Sequence, residues 1–282
     1  MRLASIVEDD REIAAVTDPA RGVTPAAAVA DWASGDLLAL IRSGRVPDLL
    51  RAAQDAPDPV FRPWSGVTFG PPYRHPRLIW GIGLNYRDHA SDLAEQVPEE
   101  PASFIKGDHT IIGPGEAIPL PPQSRRTTTE AELGIVIGSY CRNVCEEEAL
   151  EHVLGVVPVL DQTAEDILQR NPRFLTRSKN FPGFFSFGPE IVPLDEALEA
   201  AGGLDRLEVS TVVNGEQTRT NTVSHMRFSP AYLISFHSKV MPLQPGDILS
   251  PGTPGAIRVR PGDVAECRIP GVGTLVNPVT QG

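Results

Sequence analysis

The run Thr129-Glu130-Ala131-Glu132-Leu133-Gly134-Ile135-Val136-Ile137-Gly138 sets two glutamates in alternation and then turns wholly apolar, a pattern that fits a β-strand. Side chains alternate faces along a strand. Glu130 and Glu132 therefore project together with Gly134, Val136 and Gly138, while Ala131, Leu133, Ile135 and Ile137 point the other way. One face reads as core, the other as a cavity with acid at its rim. Two carboxylates held together on a half-buried strand repel and lose hydration, so the pair is costly unless a cation or a proton sits between them. The commoner fate of alternating charge is the solvated face of an edge strand. Against that stands a second apolar run, Val156-Val157-Pro158-Val159-Leu160, closed by Asp161. Three hard oxygen ligands with no neighbouring His or Cys match Mg²⁺ or Mn²⁺, with Ca²⁺ also admissible, and disfavour zinc.

Outward from these two runs the chain is strand-dominated. Strands are predicted at 78–83, 103–106, 132–138, 155–161, 207–214, 247–250, 264–269 and 274–277, and Asn214-Gly215 signals a hairpin. Helices are predicted at 88–95, 146–154, 163–170 and 230–240. Before them come a strand at 2–7 and two helical stretches at 26–33 and 36–53. Prolines 57, 59, 63, 71, 72 and 76 then break the chain. The reading is α+β, mostly β, with a small N-terminal α/β domain and linker at 1–72 and a larger, mostly β domain with short helices at 73–282.

A chain of 282 residues with 41% apolar and 22% charged residues can bury a sizeable core. Net charge of −11 and a pI near 5.0 argue against nucleic acid or an anionic membrane as partner, leaving small molecules. Acidic residues arrive too early for a signal peptide and no apolar run spans a bilayer, so the expectation is a cytoplasmic protein. Cys141, Cys145 and Cys267 are an odd count without metal or redox spacing, which reads as packing in a reducing compartment.

Three further stretches carry chemistry. After Leu78-Ile79-Trp80-Gly81-Ile82-Gly83-Leu84 the chain reads Asn85-Tyr86-Arg87-Asp88-His89-Ala90-Ser91-Asp92. His89 and Asp92 stand three apart, which on a helix lets the carboxylate orient the imidazole as a general base requires; the alternative is a surface or capping group. Lys179, beside an aromatic and Gly-rich stretch, either neutralises an anionic substrate or is an ordinary surface lysine. Gly252-Thr253-Pro254-Gly255 is a turn whose amides and hydroxyl can hold a carboxylate or an oxyanion.

Together these segments, with Lys179-Asn180-Phe181, Phe187-Gly188-Pro189, Val213-Asn214-Gly215-Glu216 and Pro245-Gly246-Asp247-Ile248, resemble the fumarylacetoacetate hydrolase family over residues 78 to 279. The resemblance implies a mixed β-roll catalytic domain of that family's C-terminal type and a homodimer. It also implies Mg²⁺ or Mn²⁺ on Glu130, Glu132 and Asp161, His89 as the water-activating base with Asp92 as its partner, and Lys179, Thr253 and Gly252 around the substrate's oxygens. The expected reaction is cleavage of a carbon–carbon bond in β-diketo acids such as acylpyruvates. Alternatives are decarboxylation or keto-enol isomerisation of a 2-keto diacid, and a non-catalytic metabolite-binding homologue. Three positions depart from the family pattern: Asp92 stands where Glu is common, Glu165 where Arg is usual, and Pro182 where Asp is. The change at Glu165 alters substrate choice or is surface drift.

Overall fold

The computed structural model describes residues 1–86 and 98–282. The predicted helix at 88–95, with His89 and Asp92, lies outside the described residues. Strands β1 (Arg2–Glu8), β2 (Arg11–Asp18), β3 (Gly22–Pro25), β4 (Ile79–Gly83), β5 (Ala102–Lys106) and β6 (Ile111–Ile112) come first. They are followed by β7 (Ile118–Leu120), β8 (Thr127–Ile137), β9 (Val153–Ala164), β10 (Phe185–Phe187) and β11 (Glu190–Pro193). The chain ends with β12 (Glu208–Val213), β13 (Glu216–Thr222), β14 (Ile248–Ser250), β15 (Ile257–Arg258), β16 (Val264–Ile269) and β17 (Gly273–Gln281).

The main sheet runs β3-β2-β1-β11-β9-β8-β14-β4-β5. A flat sheet of this order would hold β5 and β9 roughly 19 Å apart, at about 4.8 Å per strand. The sheet instead closes on itself: β6, just after β5, pairs with β10, and β10 pairs with β9. This closure makes the expected mixed β-roll. The N-terminal strands extend the same sheet, with Leu3 opposite Ile191 and Ala4 opposite Glu190. A second sheet, β13-β12-β16-β17-β7, covers one face of the roll. There Ala131, Leu133 and Leu160 pack with Val209, Cys267 and Leu275.

At the centre, β8 and β9 pair along their whole length and β8 is buried at every position. The solvated edge-strand reading of Glu130 and Glu132 is thereby corrected. β8 has β9 on one side and β14 and β15 on the other, so its alternation separates two interiors rather than core from water.

The predicted helix at 146–154 is also corrected. A 3₁₀ turn, Ala149–His152, occupies part of it, and from Val153 the β-branched residues are extended as ladder partners of β8. The helix expected at 36–53 is broken at Gly44, which sits at φ +71°. Its parts are α1 (Leu37–Arg42), capped by Asp36, and α2 (Val46–Asp55). The helix expected from 163 begins later, as α3 (Glu165–Arg170), because Thr163 and Ala164 still pair with Thr128 and Thr127. α4 (Leu175–Lys179) and α5 (Leu194–Ala201) were not foreseen. The Asn214-Gly215 hairpin and α6 (Pro230–Val240) are as read, the latter with Ser229 accepting from Tyr232 N and proline at its start. Of the cysteines, Cys141 and Cys267 are buried, Cys145 is exposed, and none is in a disulfide. Among the described residues no helix is long and apolar enough to cross a membrane.

α6 carries a titratable group into the core. His237 Nδ1 donates to Leu233 O at 2.7 Å, and its ring lies 4.5 Å from that of Trp80. Burial holds its pKa below the ordinary 6.5. Below about pH 6.5 the unfolded chain takes up a proton there that the folded chain refuses, so stability falls as pH drops, by at most about 1.4 kcal/mol per pH unit. His237→Gln is expected to flatten that part of the profile when urea unfolding is compared from pH 7 downward; an unchanged slope contradicts the assignment.

Candidate active site

Register brings the acids together. Glu130 lies directly opposite Asp161 across the β8–β9 ladder, with Glu132 two residues along on the same face. One oxygen from each of the three falls within 4.8 Å of the others, and all three residues are buried. Like charges directly opposed on a ladder destabilise it, and two buried lysines answer them. Lys106 Nζ donates to Asp161 Oδ1 at 2.6 Å; Lys179 Nζ donates to Asp161 Oδ2 and Glu130 Oε2, both at 2.8 Å. Thr163 Oγ1 adds a 2.6 Å bond to Glu130.

Glu132 is held differently. Ser250 Oγ donates to its Oε2 at 2.6 Å and Gly252 N at 2.8 Å, but neither donor carries charge. Burial first, then the neighbouring Asp161, pushes its carboxyl up to about 8, against the opposing pull of Lys179 and Ser250. Burial likewise pulls Lys106 down to about 8 in spite of Asp161. Burial also acts to lower Lys179, yet the three surrounding carboxylates outweigh it and hold that ammonium above its ordinary range. Ionising Glu132 sets three carboxylates against two ammoniums among the described residues, so with no cation beside it burial and Asp161 keep a proton on this carboxyl. A buried all-oxygen donor set, one of whose carboxyls gives up its proton readily only to a cation, fits a hard divalent ion such as Mg²⁺, Mn²⁺ or Ca²⁺.

Glu130 and Glu132 open onto a pocket of about 380 Å³ that Thr163, Lys179 and Thr253 also line, with Asp161 and Lys106 behind its wall. Lys179 is thus no surface lysine: it is buried and engaged with two of the acids. The turn at Gly252 adopts φ +109°. Its N–H, expected to face a ligand, binds the protein's own Glu132. Thr253 lines the pocket, and its Oγ1 donates to Gly255 O at 3.2 Å.

Asn85 joins this turn to the end of β4. Its side chain donates to Phe228 O at 3.0 Å and Pro251 O at 2.7 Å, and accepts from Phe228 N at 2.8 Å. Asn85→Ala leaves buried backbone groups without partners and is expected to cost about 3 kcal/mol. Chemical denaturation measures it; a loss below about 1 kcal/mol would mean that water restores the bridge.

Lys106 escaped the sequence reading. Lysine at the end of a short strand looks like a solvated tail, and only closure of the roll brings β5 beside β9. A faint signal existed in Ala102-Ser103-Phe104-Ile105-Lys106: alternation puts Lys106 on the face of Phe104, and Phe104 is buried whereas Ile105 is 42% exposed.

The family model for the fumarylacetoacetate (FAA) hydrolase C-terminal domain matches residues 78–280. A 4-hydroxyphenylacetate degradation bifunctional isomerase/decarboxylase from Salmonella dublin is 39% identical over 213 residues, which cover 75% of this chain and 49% of that protein. The human mitochondrial oxaloacetate tautomerase is 33% identical over 226 residues, covering 77% and 71%. Among solved structures, a fumarylacetoacetate hydrolase from Exiguobacterium antarcticum superposes with a TM-score of 0.85 at 28% identity, over the full length of both chains.

Proposed function

Because this chain belongs to the fumarylacetoacetate hydrolase family, and the three relatives named above are enzymes, we propose that it hydrolyses a carbon–carbon bond in acylpyruvates, as a cytoplasmic homodimer. The observation that carries the reading is the convergence of Glu130, Glu132 and Asp161, buried and within 4.8 Å of one another, beside a pocket of substrate size. In this reading the three residues hold Mg²⁺ or Mn²⁺. Such an ion, when bound, supplies Lewis-acid polarisation of a 2-keto acid's carbonyl.

The chain's own groups do the rest. His89, oriented by Asp92, takes a proton from water, whose oxygen attacks the distal carbonyl. The bond between that carbon and the methylene breaks, its electron pair stays with the pyruvate fragment, and protonation there gives pyruvate and a second carboxylic acid. An ammonium has three donors; Lys179 uses two on Glu130 and Asp161, which leaves one for negative charge developing on the substrate. Thr253 exchanges its bond to Gly255 for one to the substrate carboxylate, and Gly252 keeps Glu132 aimed.

A spectrophotometric screen of acylpyruvates and 2-keto diacids, with Mg²⁺ or Mn²⁺ against chelator, tests this. Hydrolysis releases two acids. The second reading, decarboxylation or keto-enol isomerisation of a 2-keto diacid, is favoured by the names of the relatives that align. It is identified by carbon dioxide, or by a change in absorbance with no cleavage product.

A further inference from the structure

Beside its carboxylates the pocket has apolar walls of Leu84, Phe104, Leu168, Pro172 and Leu175, drawn from three separate stretches of chain, with Phe104 lying under the Lys179 ammonium. Among the described residues that line it, Lys179 is the one cation, and its charge already answers Glu130 and Asp161. The other ionisable group on the wall is Glu165. Its side chain is 12% exposed, and both oxygens are tied down: Arg126 Nε lies 2.8 Å from Oε2, and Gln169 Nε2 donates to Oε1 at 3.0 Å. Its backbone N–H donates to Arg126 O at 2.9 Å. Held from two sides, the carboxylate cannot swing away from an approaching anion without giving up both side-chain bonds. Arg126 is half exposed and does not line the pocket, so its charge is spread toward solvent while the acid faces the cavity.

We infer that Glu165 is a specificity-determining residue, an anionic filter that bars a second carboxylate from the tail end of the pocket and selects a 2-keto monoacid with an apolar tail. This rests on the reading of the pocket as a keto-acid site. Apolar walls favour an alkyl or aryl tail by the area they remove from water. A fixed carboxylate in a partly buried pocket repels a second one strongly enough to weaken its binding by about tenfold or more.

Binding to the full-length protein in magnesium buffer tests the filter without depending on turnover. The probes are 2-oxohexanoate and 2-oxoadipate, which share a chain length and differ in the terminal carboxylate. Calorimetry is expected to show wild-type protein preferring 2-oxohexanoate about tenfold or more. Glu165→Gln should shrink that ratio to below about threefold by gaining affinity for 2-oxoadipate, whereas Glu165→Asp, which keeps the charge, should hold the ratio near wild type; a merely structural role predicts the same loss from both. Equal or tighter binding of 2-oxoadipate by wild type overturns the filter, as does a ratio unmoved in Glu165→Gln. Selective binding with no hydrolysis of any acylpyruvate removes the proposed reaction and leaves the filter standing. Failure to bind either probe removes both.

Discussion

Glu132→Gln is expected to lower kcat/KM by roughly 10³-fold or more, the equivalent of the several kcal/mol that a metal ion contributes at such a centre, while the protein stays folded. The amide keeps the shape of the side chain, and its oxygen can still accept from Ser250 and Gly252, the two donors now at Oε2. What disappears is the one carboxylate of the three that has no ammonium within ion-pair distance among the described residues. With its carboxyl pushed up to about 8, Glu132 is largely neutral at pH 7 in the unliganded protein, so the amide replaces a neutral group and the unliganded variant should melt close to the wild-type temperature. Magnesium should raise the melting temperature of wild type by mass action and leave the variant unmoved. Chelator should take wild type to the activity of the variant and lower the variant no further. An equal magnesium shift in both proteins would mean that the ion binds elsewhere.

Lys106→Met tests the opposite side of the balance. Lys106 and Asp161 are both without side-chain exposure and their charges meet at 2.6 Å. Removing one partner leaves the other buried and half-compensated, at an expected cost of about 3–5 kcal/mol. Urea unfolding reads the loss directly. Lys179 still reaches Asp161, so the site does not lose all its positive charge, and a divalent ion among the carboxylates can supply part of what the lysine gave. The variant should therefore gain more stability from magnesium than wild type does. A variant as stable as wild type in the absence of metal would show that Lys106 contributes nothing net.

The acidic pair was legible because strand periodicity is local: two residues of spacing put Glu130 and Glu132 on one face whatever else the chain does. Asp161 could be suspected from its place in an apolar run but not aligned with Glu130, since register depends on the pairing of two strands and a slip of one residue turns the face over. The helix expected at 146–154 failed for a related reason. Its first half has helix-forming glutamates, but Val153 and Leu154 continue into the ladder with β8, and tertiary pairing overrode local preference. Glu165 was visible as a departure from the family pattern; that it lines the pocket, tied by Arg126 and Gln169, was not.

By itself the sequence determined what short-range physics controls: a strand-rich chain, the Asn214-Gly215 hairpin, the capped helix at Pro230–Val240, the facing of Glu130 and Glu132, and three acids suited to a hard cation. Only the tertiary structure decided that these acids are interior, that Lys106 stands 55 residues from its partner in the chain yet within hydrogen-bond reach of it, and that Gly252 serves Glu132. The reason is closure. When the sheet rolls so that β6 meets β10, strands remote in order become neighbours, and the cost of burying like charges is met by ammoniums that no local pattern pairs with them.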